Sequence, residues 1–252
     1  MILAMDTSTA LTSVAVVDGQ RVIAQRTELD PRRHAEVLAP LLAEVLTESG
    51  VGQDDIDTIA CGVGPGPYTG LRVAIATARA LGLAWRRPVV GLCSLDAVAA
   101  AVVAGGTSGE FGVASDARRR EVYWGWFDAD GRRVRGPQVM RPLDIDAHQR
   151  AGAWAGQGAR EHQVDFGSLL GREDDSALRY PYAEWIARRA LDLLAAGGNV
   201  ARPHILLAAH GGDGEATSRV LSGMGLLPPE PLYLRRPDAV ESATPSGLGP
   251  RP

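Results

Sequence analysis

The sequence predicts an α/β protein built from two similar lobes in tandem, and three observations carry that reading. Over residues 2–104, β-branched runs and apolar-periodic stretches follow one another in the order β-β-β-α-β-α-β-α. A small-residue loop, Gly105-Gly106-Thr107-Ser108-Gly109, comes next, and a second set of strands opens after it. Within the first half, residues 57–85 form a strand, a Gly-Pro-Gly-Pro turn and a long apolar helix, around which the rest is organised.

Taken in order, residues 2–6 read as a strand with the polar exit Asp6-Thr7-Ser8-Thr9. Residues 13–17 and 21–28 are the next two strands, joined by an Asp18-Gly19 hairpin turn. Asp30 is expected to cap a helix whose first residue is Pro31. Val37, Leu38, Leu41, Leu42, Val45 and Leu46 give that helix one apolar stripe, Pro40 should kink it, and Gly50 should end it. Thr58 and Ile59 open a fourth strand that runs through Ala60 and Cys61 into Gly62. Tyr68-Thr69-Gly70 then opens a helix in which, from Leu71 to Trp85, only Arg72, Thr77 and Arg79 are polar. A helix apolar nearly all round is buried on more than one side, in the core or beneath a partner. Residues 88–92 are a fifth strand, and Ser94 is expected to cap a short apolar helix over 95–104.

The second pass repeats the opening, with strands expected over 111–115, 121–127 and 133–139. Residues 142–150 read as helical, 153–156 as a short strand, and 182–196 as an amphipathic helix stopped by Gly197-Gly198. The stretch 200–231 fits no element beyond an apolar run over 204–208, and 245–252 should be disordered. The expected division is therefore a lobe over 1–107, a lobe over 108–237 and a tail over 238–252.

Composition narrows the chemistry. The 252 residues are 45% hydrophobic, enough for a real core, with no apolar run of membrane-spanning length. The opening Met1-Ile2-Leu3-Ala4-Met5-Asp6 lacks a basic region, so no signal peptide and a cytoplasmic location are expected. A net charge of −4 argues against a general grip on nucleic acid. All 26 basic residues are Arg, which excludes Schiff-base chemistry and a lysine-bearing P-loop. The strand–glycine loop–helix geometry at 57–85 nevertheless presents backbone N–H groups to an anion. Cys61 and Cys93 both lie in apolar runs and read as buried free thiols. No Gly-x-Ser-x-Gly elbow occurs, Thr7 and Ser8 have no neighbouring His, and His210-Gly211-Gly212 is only superficially like a lipase loop.

The element order resembles the actin-like ATPase (ribonuclease H-like) fold of sugar kinases and heat-shock chaperones, which implies two lobes with mixed five-stranded sheets flanked by helices. In that fold the exit of the first strand brings an Asp and hydroxyls to nucleotide phosphates, the place of Asp6 and Thr7, and Asp116 opens the second lobe. More specifically, Gly64-Pro65-Gly66-Pro67-Tyr68-Thr69-Gly70-Leu71-Arg72 joined to Asp6-Thr7-Ser8 resembles the TsaB (YeaZ) family. His34-Ala35-Glu36, Asp116-Ala117-Arg118-Arg119 with Glu121-Val122-Tyr123, and Glu230-Pro231-Leu232-Tyr233-Leu234-Arg235-Arg236-Pro237 are similar to that family too.

The resemblance implies a non-catalytic subunit needed for threonylcarbamoyladenosine in tRNA, paired with a TsaD-type catalytic subunit. A TsaE-type ATPase would join the larger complex, and tRNA would be met only through it. No catalytic residue and no metal are expected: the positions corresponding to the paralogue's two metal-binding His are Ser94 and Val98. The five His (His34, His148, His162, His204, His210) show no paired helical spacing, and His34 reads as a solvated or capping residue. Asp6, Thr7 and Asp116 are expected to face an eroded nucleotide cleft, with Gly156-Gln157-Gly158 a remnant adenine-side loop. Arg118, Arg119 and Arg120 stand where close approach to phosphates would want glycines. No resident cofactor is expected, while ATP or ADP at the joint with the partner and a homodimer of the isolated chain stay open. The partner interface is expected on the long helix, at Tyr68, Leu71, Arg72, Ile75, Ala78 and Arg79, with Ala74 and Gly82 allowing close approach. The alternatives are a degenerate ATPase or kinase, or a peptidase-like protein, acting alone.

Overall fold

The computed structural model describes residues 1–172, 175–196 and 226–234. Strands β1 (Ile2–Asp6), β2 (Leu11–Asp18) and β3 (Arg21–Leu29) form an antiparallel meander, followed by helix α1 (His34–Ser49). Strand β4 (Thr58–Gly62), helix α2 (Tyr68–Trp85), strand β5 (Val89–Leu92) and helix α3 (Ser94–Ala104) complete the first half. The second half repeats the scheme with β6 (Phe111–Asp116), β7 (Val122–Phe127), β8 (Arg133–Met140), α4 (Ala147–Arg150), β9 (Ala153–Ala155), α5 (Gln157–Glu161), β10 (Ser168–Leu169) and α6 (Ala183–Ala196). The sheets run β3-β2-β1-β4-β5 and β10-β9-β6-β7-β8, so the second repeats the order of the first, element for element. In each, the central strand pairs antiparallel with one neighbour and parallel with the other, as Ala4 does with Ala15 and Ala60. This is the mixed five-stranded, actin-like architecture expected from the sequence.

Alternation along β1 sorts its side chains onto two faces. Leu3 and Met5 face a core shared with Leu38 and Val45 of α1 and Leu71, Ala74, Ile75 and Ala78 of α2. Ile2 and Ala4 face the opposite way, against Ala183, Ile186, Ala187 and Ala190 of α6. In turn α3 lays Leu95, Val98, Ala99 and Val102 on Phe111, Val113, Phe127 and Ala155 of the second sheet. The third helix of each half therefore covers the other half's sheet, and α3 and α6 also touch each other. Full burial of each such Leu or Ile stabilises the fold by roughly 1.5–3 kcal/mol. The arrangement explains why α3 is apolar on nearly every side: its own chain surrounds it, not a partner. It also places α6, which chain order gives to the second lobe, on the first sheet. The remaining face of the second sheet packs Trp124, Trp126, Trp154 and Phe166.

Local expectations fail at two points, the Asp30 and Ser94 caps, for identifiable reasons. The Asp30 carboxylate accepts from Arg32 N at 2.9 Å in a turn of its own, so α1 begins only at His34, with Arg33 as its N-cap residue. The helix then runs through Pro40 without a break and closes on Gly50, whose φ of 65° is left-handed. Ser94 is the first residue of α3, with Cys93 before it as N-cap, and its hydroxyl is used elsewhere. The expected run 204–208, the Gly197-Gly198 stop and the tail lie outside the described residues.

Candidate functional site

The exit of β1 and the loop after β4 are built into each other. Asp6 is fully buried: its Oδ1 accepts from Ser8 N and Ser8 Oγ, both at 2.7 Å, and its Oδ2 accepts from Ser94 Oγ at 2.6 Å. Ser94 Oγ accepts in turn from Gly64 N at 3.2 Å, which fixes the Gly-Pro-Gly-Pro loop to α3. Thr7, 1% exposed, donates its hydroxyl to Gly70 O at 2.7 Å and accepts from Ala74 N at 3.0 Å, clamping the first turn of α2. The glycines between are steric requirements. A Cβ at Gly62 would lie 1.7 Å from Asp6 Oδ2, and one at Gly66 would lie 2.1 Å from Ser8 O. Burial pushes the Asp6 carboxyl up to about 6, although hydrogen bonds from Ser94 and Ser8 favour its charged form.

This geometry corrects two expected site residues. Asp6 and Thr7 do not face the cleft; their polar atoms are turned inward and used by the protein itself. The groups that would present a nucleotide's phosphates to the first half are thus spent, and the fit to an actin-like nucleotide is poor. Asp116, its side chain 25% exposed, does line the cleft. The loop after it is strained: Arg118, Arg119 and Arg120 have φ of 62°, 55° and 61°, a region that costs an L-residue roughly 1 kcal/mol or more. Asp116 Oδ1 accepts from Arg118 N at 2.7 Å within that turn.

The cleft is lined by Asp116, Gln157 and Arg118, expected there from the sequence, together with Thr9, Ser115, Glu161 and Tyr180, which carry no distinctive motif as cleft residues. One cavity of about 230 Å³ is lined by Thr9, Pro31, Pro67, Ser115, Asp116 and Gln157, together with Arg118 and Tyr180. Gln157, which lines this cavity, follows Gly156, the positive-φ N-cap residue of α5. Those glycines serve packing, since a Cβ on Gly156 would meet Ala114 O at 2.1 Å. An adjoining cavity of about 160 Å³ shares Thr9, Pro31, Pro67 and Arg118 and adds Arg32, His34, Thr69 and Gly70. His34 is buried, not solvated, with Nδ1 2.7 Å from Thr12 Oγ1, and desolvation lowers its pKa. Cys61 and Cys93 are free and buried, their thiols pushed up to about 12 by desolvation.

The long helix shows two sides. Leu71, Ile75 and Ala78 point into the chain's own core, at 0%, 3% and 0% exposure, which corrects their expected place on a partner surface. Tyr68, Arg72 and Arg79 are exposed, and with Ala76, Ala80, Leu83 and Ala84 they make an outward stripe. At its N-terminal end Tyr68 stacks on Tyr233, ring centroids 4.9 Å apart, with the Arg72 guanidinium 3.9 Å from the Tyr68 ring centre. Arg72 Nε also donates to Tyr233 Oη at 3.0 Å. The segment carrying Tyr233 is anchored by a bridge between Leu227 and Gly91 and by Leu232 N donating to Val63 O. Ser94 and Val98 are both buried, the former spent on Asp6 and Gly64, the latter in the core beneath the second sheet.

Comparison with known proteins agrees with this architecture. Residues 21–163 match the family described as TsaD, tRNA N6-adenosine threonylcarbamoyltransferase. An uncharacterised Mycobacterium leprae protein is 40% identical over 174 residues, 68% of this chain, which spans only 46% of that protein's length. The Escherichia coli tRNA threonylcarbamoyladenosine biosynthesis protein TsaB is 32% identical over 81% of this chain and 91% of its own. The solved structure of YeaZ from Pseudomonas aeruginosa superposes with a TM-score of 0.68 at 31% identity, over 80% of this chain and 95% of that one. Shared sequence along nearly the whole of TsaB, and a shared fold along nearly the whole of YeaZ, identify the chain as a member of the TsaB (YeaZ) family.

Proposed function

We propose that the chain is an accessory subunit in the biosynthesis of threonylcarbamoyladenosine in tRNA, acting by docking onto a TsaD-type transferase. The observation that carries this reading is the outward stripe of α2. Ala76, Ala80 and Ala84 let another helix approach closely, and Leu83, 76% exposed, supplies an apolar anchor. The helix contains no carboxylate, and its Arg72 and Arg79 suit an acidic rim on the partner. The duplicated fold supports it as well, because a homologous partner would present an equivalent helix to pack against. A TsaE-type ATPase and tRNA would then be met by the assembled pair, not by this chain alone.

The inward-turned Asp6 and Thr7 disfavour an independent ATPase or kinase. A cysteine-peptidase reading is disfavoured by Cys61 and Cys93, because a thiol held near 12 supplies almost no thiolate at neutral pH. The test is isothermal titration of the chain with a TsaD-type transferase, followed by a modification assay omitting each protein in turn. Binding and a requirement for both proteins are expected. Full modification by the transferase without this chain would overturn the proposal.

A further inference from the structure

The outward side of α2 does not end with the helix. Tyr68, Arg72, Ala76, Ala80 and Ala84 recur every fourth residue, so they form one ridge along it. At the N-terminal end of that ridge sits Tyr233, 161 positions away from Arg72 in the chain. Residues 226–234 bring it there as a strap laid across the first half, and the strap is fastened without it. Leu226 is fully buried on the α6 side of the first sheet, and Leu227 and Leu232 pack against both the first core and the core beneath α3. Leu227 exchanges two backbone hydrogen bonds with Gly91 on the edge strand β5, both at 2.8 Å, and Leu232 N donates to Val63 O at 2.8 Å. The crossing needs the glycine, since a Cβ on Gly91 would lie 2.6 Å from Pro228 O. Tyr233 stands outside this burial: it is 39% exposed and lays its ring on Tyr68, itself 37% exposed. Arg72 completes the cluster, stacked on Tyr68 and bonded to Tyr233 Oη while still exposed. Tyr and Arg are side chains that anchor protein interfaces, and here their ordering cost is met before any partner arrives.

We infer, resting on the docking role proposed above, that the docking face is composite: Tyr233 of the strap joins Tyr68 and Arg72 in an anchor on which the transferase seats. Leu83 is the matching apolar anchor near the other end of the helix. The chemistry of the cluster selects its occupant. Its charge is the Arg72 guanidinium and α2 carries no carboxylate, so the seat fits an acidic group bordered by apolar surface on the transferase. A face built in this way couples two events. Docking holds the strap down, and release of the strap loosens the transferase by the same factor.

The experiment combines isothermal titration against a TsaD-type transferase with hydrogen exchange of the full chain, free and in the complex. Tyr233→Ala should weaken docking at least about tenfold, with the circular dichroism of the wild type. Tyr233→Phe keeps the stack and loses only the bond to Arg72, so it should lose less. In the wild type, amide exchange over 226–234 should slow at least about tenfold on binding. Wild-type affinity in Tyr233→Ala, or unchanged exchange over 226–234, would overturn the inference. Leu83→Asp measured alongside separates the two failures, because its weakening would show that the docking role itself stands. No binding by the wild-type chain would remove the docking role and this anchor with it. A defect of Tyr233→Ala confined to self-association, read by sedimentation, would assign the cluster to a contact between two copies and overturn the inference as well.

Discussion

Ser94 donates its hydroxyl to Asp6 Oδ2 at 2.6 Å, tying the exit of β1 to the start of α3 across 88 positions of chain. The pair is wholly buried, and its protonation state follows from that burial. The folded carboxyl titrates near 6 against an ordinary 3.8, so the folded protein binds the proton more tightly than the unfolded chain. A group raised in this way contributes stability that is complete below about 4 and is lost as pH rises to about 6. The loss is on the order of 3 kcal/mol. Asp6→Asn removes the titration. Urea unfolding across this range should show the stability difference, wild type minus variant, falling with pH; a flat difference would refute the assignment.

Gly66→Ala should destabilise the fold by at least about 2 kcal/mol, because its Cβ would stand 2.1 Å from the backbone oxygen of Ser8. Neither loop can yield easily, since Ser8 is held by Asp6 and the glycine loop by Ser94. Thermal unfolding measures it.

Aspartate scanning along α2 should separate folding from docking. Ile75→Asp buries a charge in the first core and should cost several kcal/mol, leaving little folded protein by circular dichroism. Leu83→Asp and Ala80→Asp lie on the outward stripe and should fold normally, while weakening the transferase complex by roughly a hundredfold or more. Wild-type affinity for both outward variants would place the interface elsewhere.

Neither cysteine should react with a thiol-specific disulfide reagent in the native protein. Both are fully buried with thiols held near 12, so modification requires unfolding. Mass spectrometry after timed exposure, with and without denaturant, checks this.

What could be read from the sequence divides along physical lines. The succession of strands and helices was legible because alternation at period two and apolar stripes at helical period are local. The outward side of α2 was not: with apolar residues on nearly every face, periodicity could not separate Ile75, which faces the core, from Leu83, which faces out. Asp6 and Thr7 were recognised as a motif, but their inward turn depends on Ser94, Gly70 and Ala74, distant in sequence. The left-handed backbone at Arg118, Arg119 and Arg120 left no trace either, because Arg carries none of the signal that Gly gives for such a conformation. The cleft lining at Thr9, Ser115 and Tyr180 is assembled by topology from single residues of no distinctive type.

The exchange of third helices between the two sheets has a consequence for how the chain emerges during synthesis. When the first half has left the ribosome, Ile2, Ala4, Ala15, Val17, Ala60 and Val90 have only Ala97 of α3 against them, since α6 is still untranslated. A greasy sheet face must then wait for the last described helix, exposed to chaperones and to neighbouring nascent chains. The N-terminal half released alone should therefore self-associate, and supplying the C-terminal half in trans should rescue it. The halves resemble each other, yet neither is a finished unit until α6 has been made.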